Sequence, residues 1–120
     1  MNADDYQKLA VRTAKNYPTL GENLTHVALG LLTESGEVGT TVKRHVIYNK
    51  DLTEEMRANL AEEMGDIAWY LALGCETLGI SLGDVLDQNI QKLKARYPNA
   101  YSDQAAEGRA DKGGAPASES

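Results

Sequence analysis

Two long segments with helical periodicity, each carrying two acids three residues apart beside its apolar stripe, constrain this chain more than any other feature. In the first segment Leu24, Val27, Ala28, Leu31, Val38 and Val42 form the stripe, with Glu34 on its edge. Glu37 lies roughly 60° further round at about 100° per residue. In the second segment the stripe is Leu60, Met64, Ile67, Leu71 and Leu78, and Glu63 falls on it. Asp66 lies roughly 60° beyond, on the same side. Helix residues at i,i+3 stand about 5–6 Å apart at Cβ, so each pair aims two carboxylates at one point. Two other acidic pairs, Asp51/Glu54 and Asp84/Asp87, fall at predicted helix starts, where acids complement the macrodipole. Carboxylates gathered beside a core repel one another unless a cation holds them. The ions suited to oxygen ligands are Mg²⁺ and, as a substitute, Mn²⁺. With 18 acidic residues among 120, a solvated acidic flank is the competing reading.

The remaining signals are also helical. Asp4 or Asp5 opens a first helix that runs to about Asn16, stopped by Tyr17-Pro18 and Gly21. Asn23 caps a second from Leu24 to about Ile47, and Glu54–Leu78 is a third, ended by Gly79. Ser81 caps a fourth, Leu82 to about Arg96, ended by Tyr97-Pro98. Gly30, Gly36 and Gly39 inside the second helix cost about 1 kcal/mol each against Ala, which points to close packing or to an uncrowded backbone beside the acids. No segment alternates with period two for the length of a strand. From Gln104 onward Ala, Gly, Ser and charge predominate, so residues 1–103 read as one domain and 104–120 as a disordered tail.

The predicted architecture is an all-α antiparallel bundle of four to five helices. A hairpin of the second and third helices has 25 residues, 38–62, between Glu37 and Glu63. About ten residues out, a turn and about ten back brings the two acid pairs opposite each other. On the fourth helix Asn89, Lys92 and Arg96 share a face, followed by Tyr97, while Lys43 and Lys50 lie beyond the first acid pair. Lysine meets a phosphate as a point charge and arginine through a planar fork, although basic residues also favour helix C-termini. His26 and His45 read as surface or packing residues, and Trp69 and Tyr70 as core or interface, with stacking on a base as the alternative. A di-iron or di-manganese bundle needs Glu-x-x-His pairs, and neither histidine has a glutamate three residues before it.

A net charge of −6 argues against a general binder of nucleic acid or anionic membrane. The N-terminus is polar and acidic, unlike a signal peptide, and Ile67–Ile80 is too short to span a bilayer. The single Cys75 reads as a small core residue and fits a reducing cytoplasm. At 42% hydrophobic residues in a small domain, burial through self-association is expected.

The runs LTESGEV (32–38), LAEEMGDIAWYL (60–71) and NIQKLKARYP (89–98) resemble the MazG-like nucleoside triphosphate pyrophosphohydrolases over about residues 6–103. The family pattern is ExxE, a spacer, then ExxD, matched here by Glu34/Glu37 and Glu63/Asp66. The resemblance implies an all-α fold assembling through a helical interface into homodimers or homotetramers. It also implies Mg²⁺-dependent cleavage of an NTP or dNTP to NMP and pyrophosphate by a metal-activated water. It assigns the metal to Glu34, Glu37, Glu63 and Asp66, and a carboxylate not fully committed to the metal, Glu34 or Glu37, is then the general base. Asn89, Lys92, Arg96, Tyr97 and Lys43 are then the residues expected at the triphosphate. The aromatic-rich stretch that some members place before ExxE to hold the base is not evident in Tyr17–Leu24. A non-catalytic helical module that binds a nucleotide or a partner is the alternative from another class.

Overall fold

A computed structural model describes residues 1–113, and among them every regular element is helical. These are α1 (Ala3–Val11), α2 (Leu20–Val46), α3 (Glu54–Leu78), α4 (Leu82–Arg96) and α5 (Asp103–Gly108), followed by a 3₁₀ turn at Ala110–Lys112. Two compact units divide the chain, one spanning Met1–Leu82 and the other beginning at Gly83.

In the first unit α2 and α3 form an antiparallel hairpin and α1 packs on α3. Local chemistry sets the ends. Asn2 and Asp5 make a reciprocal capping box for α1, and Thr53 accepts the Met56 N–H to start α3. Gly79, at φ 70°, closes α3 in the left-handed conformation, with Ile80 N–H donating to Cys75 O. Two boundaries differ from the sequence reading. The first helix stops at Val11 rather than near Asn16. There Thr13 Oγ1 and Trp69 Nε1 both donate to the Ala10 carbonyl, at 2.8 and 3.1 Å, so the last turn is fastened to α3. The second helix begins at Leu20, capped by Thr19, because Asn23 has a different task. Its Oδ1 accepts the Tyr17 N–H at 2.9 Å and so ties the preceding loop to the helix.

The buried apolar core of this unit is limited to Ala10, Val27, Ala72, Leu73, Cys75 and Leu82. Gln7 is buried among them and fixes the end of the hairpin. Its amide donates to Glu76 Oε2 and Ile80 O and accepts the Leu82 N–H. Several large apolar residues remain at the surface, among them Val42, Met64, Leu71 and Leu78 of the stripes and Leu32 and Val46 outside them.

The second unit holds α4 and α5, with Ser102 accepting the Ala105 N–H to cap α5 and Ala105 buried beneath. Where the sequence reading places a disordered tail from Gln104, helix and 3₁₀ turn continue to Lys112, anchored by an ion pair between Arg96 and Asp111. The rest of that expected tail, 114–120, lies outside the described residues. Among the described residues no helix is long and apolar enough to cross a membrane.

Candidate metal centre

The hairpin brings together acids far apart in sequence. On α2 the residues 30, 34 and 41 meet residues 70, 63 and 59 of α3, the reversed order of antiparallel packing. At the middle of this series one carboxylate oxygen from each of Glu34, Glu37 and Glu63 lies within 4.8 Å of the other two. Glu63 is buried at 8% exposure, Glu34 is half-buried and Glu37 is exposed. Oε2 of Glu34 and Oε2 of Glu63 are buried with no hydrogen-bond partner. A buried acceptor left unpaired costs about 1–3 kcal/mol, and more when charged. Sharing a proton with Glu34, then with Glu37, raises the Glu63 carboxyl to about 7, with burial adding to the shift. Three oxygen donors from three acids, two with orphaned buried oxygens, fit a hard divalent cation.

Asp66, the fourth acid of the sequence pattern, lies outside this group and is exposed on α3. Its spacing from Tyr70, i to i+4, nevertheless sets it one turn from an aromatic groove on the hairpin. That groove is a cavity of about 830 Å³, lined in part by Tyr17, His26, Leu29, Gly30, Thr33 and Tyr70. His26 makes edge contacts with the Tyr17, Trp69 and Tyr70 rings, at centroid distances of 5.4, 6.3 and 5.6 Å. The sequence reading gives His26 as a surface or packing residue and Tyr70 as core or interface, with base stacking as its alternative, and does not foresee this groove. A signal was present in Gly30, since any Cβ there would enter the Tyr70 ring.

The basic residues are divided between the units. Lys43 is exposed in the last turn of α2 with its ammonium 5.6 Å from the Tyr48 ring, and Lys50 is exposed in the connection. The Lys50 carbonyl lies 2.6 Å from His45 Nδ1. Asn89, Lys92 and Arg96 are on α4, in the second unit, with Tyr97 immediately after it. Asn89 and Lys92 line one cavity of about 440 Å³, and Tyr97 packs against Tyr101 at 5.4 Å between ring centroids.

An all-helical chain whose central hairpin gathers carboxylates from both ExxE and ExxD runs defines a class of acid-centred helical domains. The chain belongs to the family of the MazG nucleotide pyrophosphohydrolase domain, whose model matches residues 22–101. It is 38% identical over 103 residues to the "Gene 37 protein" of Mycobacterium phage L5, covering 80% of this chain and 89% of that protein. It is 32% identical over 76 residues to the "Uncharacterized protein YvdC" of Bacillus subtilis (strain 168), covering 58% of this chain and 72% of that one. No solved structure matches the chain.

Proposed function

We propose that this protein is a Mg²⁺-dependent hydrolase that converts an NTP or dNTP to the monophosphate and pyrophosphate, serving nucleotide pool control in the cytoplasm. The observation that carries this reading is the convergence of Glu34, Glu37 and Glu63 with two orphaned buried oxygens, in a chain of the MazG family. Glu34 and Glu63 would be the principal ligands of the ion, with Glu37 and Asp66 also assigned to it. A bound Mg²⁺ supplies neutralisation of phosphate charge and a more acidic water. Glu37, the exposed member of the trio, takes the proton of the attacking water as general base. The aromatic groove beside the carboxylates holds the nucleoside, with the Tyr70 and His26 rings offering faces and edges to a base. Asn89, Lys92, Arg96 and Tyr97 meet the triphosphate, and cations placed there stabilise the departing pyrophosphate. Lys43 remains a second candidate for the same work.

We further propose that the protein works as a homodimer or homotetramer, which the exposed apolar residues of α2 and α3 support. The test is a panel of the eight common NTPs and dNTPs, with and without Mg²⁺, that resolves monophosphate plus pyrophosphate from diphosphate plus phosphate. Metal-dependent pyrophosphate release is expected. A folded protein that binds nucleotide and turns over none of the panel would sink hydrolysis and favour the non-catalytic module.

A further inference from the structure

The chain continues past the family match, which ends at residue 101, and the added segment returns to α4. Arg96 Nε donates to Asp111 Oδ1 at 2.9 Å and Arg96 Nη2 donates to Oδ2 at 3.2 Å. This is the two-pronged grip by which a guanidinium also holds a phosphate. The two side chains retain 20% and 6% exposure, so the pair is largely withdrawn from water. Asp111 and its neighbour Lys112 also line the cavity that Asn89 and Lys92 share. Three of the four residues of α4 and its end assigned above to the triphosphate are thus engaged by, or share a cavity with, one acidic residue outside the family match. Resting on that assignment, we propose that Asp111 is a built-in competitor for the triphosphate at the Nε/Nη2 fork of Arg96, so that polyphosphate must displace Asp111 to gain that two-pronged grip.

The physical reason is exclusion. The Nε and Nη2 donors that hold Asp111 are the pair a phosphate would take in the same fork, and they cannot serve both anions at once. Affinity for a polyphosphate is then reduced by the fraction of molecules in which the ion pair is closed.

The experiment is calorimetric titration of the full chain with inorganic tripolyphosphate in metal-free buffer, on wild type, Asp111→Asn, Arg96→Gln and the double variant. Asp111→Asn keeps the shape and removes the charge. It is expected to bind about two- to fivefold more tightly than wild type, the scale of one partly solvated ion pair. Arg96→Gln should bind more weakly, and the double variant as weakly as Arg96→Gln. Unchanged or weaker binding by Asp111→Asn, with Arg96→Gln still weakened, would mean that Asp111 orients Arg96, and the competitor is overturned. Arg96→Gln binding like wild type would remove Arg96 from the anion site and the proposal with it. Nucleotide turnover followed in parallel separates the two readings: absent pyrophosphate release with the expected order of affinities leaves the competitor standing and removes the hydrolase.

Discussion

At the scale of single residues the site is governed by Glu63, a buried carboxyl that two neighbouring acids hold at about 7. Its folded value lies above the 4.5 usual for a glutamate, so the protonated form is favoured by folding. The stability this contributes is complete at acidic pH, below the unfolded value, and is lost as pH rises through about 7. Metal-free protein is therefore expected to melt at a lower temperature at pH 8 than at pH 5.5, and Glu63→Gln should flatten that dependence. A cation bound to the folded state alone raises the melting temperature by mass action, so Mg²⁺ at pH 8 should restore wild type and leave Glu63→Gln unmoved. Equal Mg²⁺ stabilisation of both proteins by differential scanning fluorimetry would remove Glu63 from the metal centre. Glu37 and Asp66, both exposed, are expected to matter to turnover more than to folding. Glu37→Gln should lower kcat by about 10²–10⁴-fold, the usual scale of general-base catalysis. Asp66→Asn should abolish pyrophosphate release while the circular dichroism spectrum and melting temperature stay near wild type. Either variant hydrolysing nucleotide at nearly the wild-type rate would refute its assigned role.

At the scale of elements, the hairpin depends on one close approach. Gly30 of α2 lies under the Tyr70 ring of α3, and a methyl group added there would enter the ring. Alanine gains about 1 kcal/mol in helix preference over glycine, whereas forcing atoms into an occupied contact costs about 1–3 kcal/mol. Gly30→Ala is accordingly expected to destabilise by up to about 2 kcal/mol in urea denaturation, and to become neutral or stabilising in a Tyr70→Ala background. A Gly30→Ala effect of the same size in both backgrounds would break the proposed coupling. Gly36 and Gly39, by contrast, have open space where a Cβ would stand, so close packing explains one of the three helix glycines. This division shows what could be read in advance. The limits of α3 and α4 were legible because the acid Glu54 at a helix start, Gly79, Ser81 and the Tyr97-Pro98 step are local signals. The meeting of Glu34 and Glu37 with Glu63 was legible from i,i+3 spacing and the arithmetic of an antiparallel return. The start of α2 was not, because Thr19 and Asn23 are both good caps and the tie to the Tyr17 backbone decided between them. Nor was the aromatic groove, which gathers rings from the loop before α2, from α2 and from α3. Asp111 escaped for a related reason, since its segment reads as low-complexity chain until Arg96 pairs with it.

At the scale of the whole molecule, the distribution of apolar surface is the unresolved burden of the fold. The interior of the hairpin unit buries few large apolar side chains, while Leu32 is 70% exposed and Met64 and Leu78 are each 58% exposed. On α3 the exposed Met64, Leu71 and Leu78 recur every seven residues, the spacing that presents one seam to a facing helix. On α2 the exposed Val42 and Val46 stand four apart and share a face. Exposed apolar residues in this register are what a helical partner would cover, and a stable interface covers about 800 Å² on each partner. Wild type is therefore expected to sediment as a dimer or tetramer at micromolar concentration, with a melting temperature that rises with protein concentration. Met64→Lys with Leu71→Lys places two charges on the seam and should yield a monomer whose melting is lower and independent of concentration. Neither position belongs to the carboxylate trio, so a loss of assembly can be distinguished from a loss of metal binding. A wild-type protein that sediments as a monomer throughout would refute the assembly, and a double variant that assembles as wild type does would place the interface away from the α3 seam.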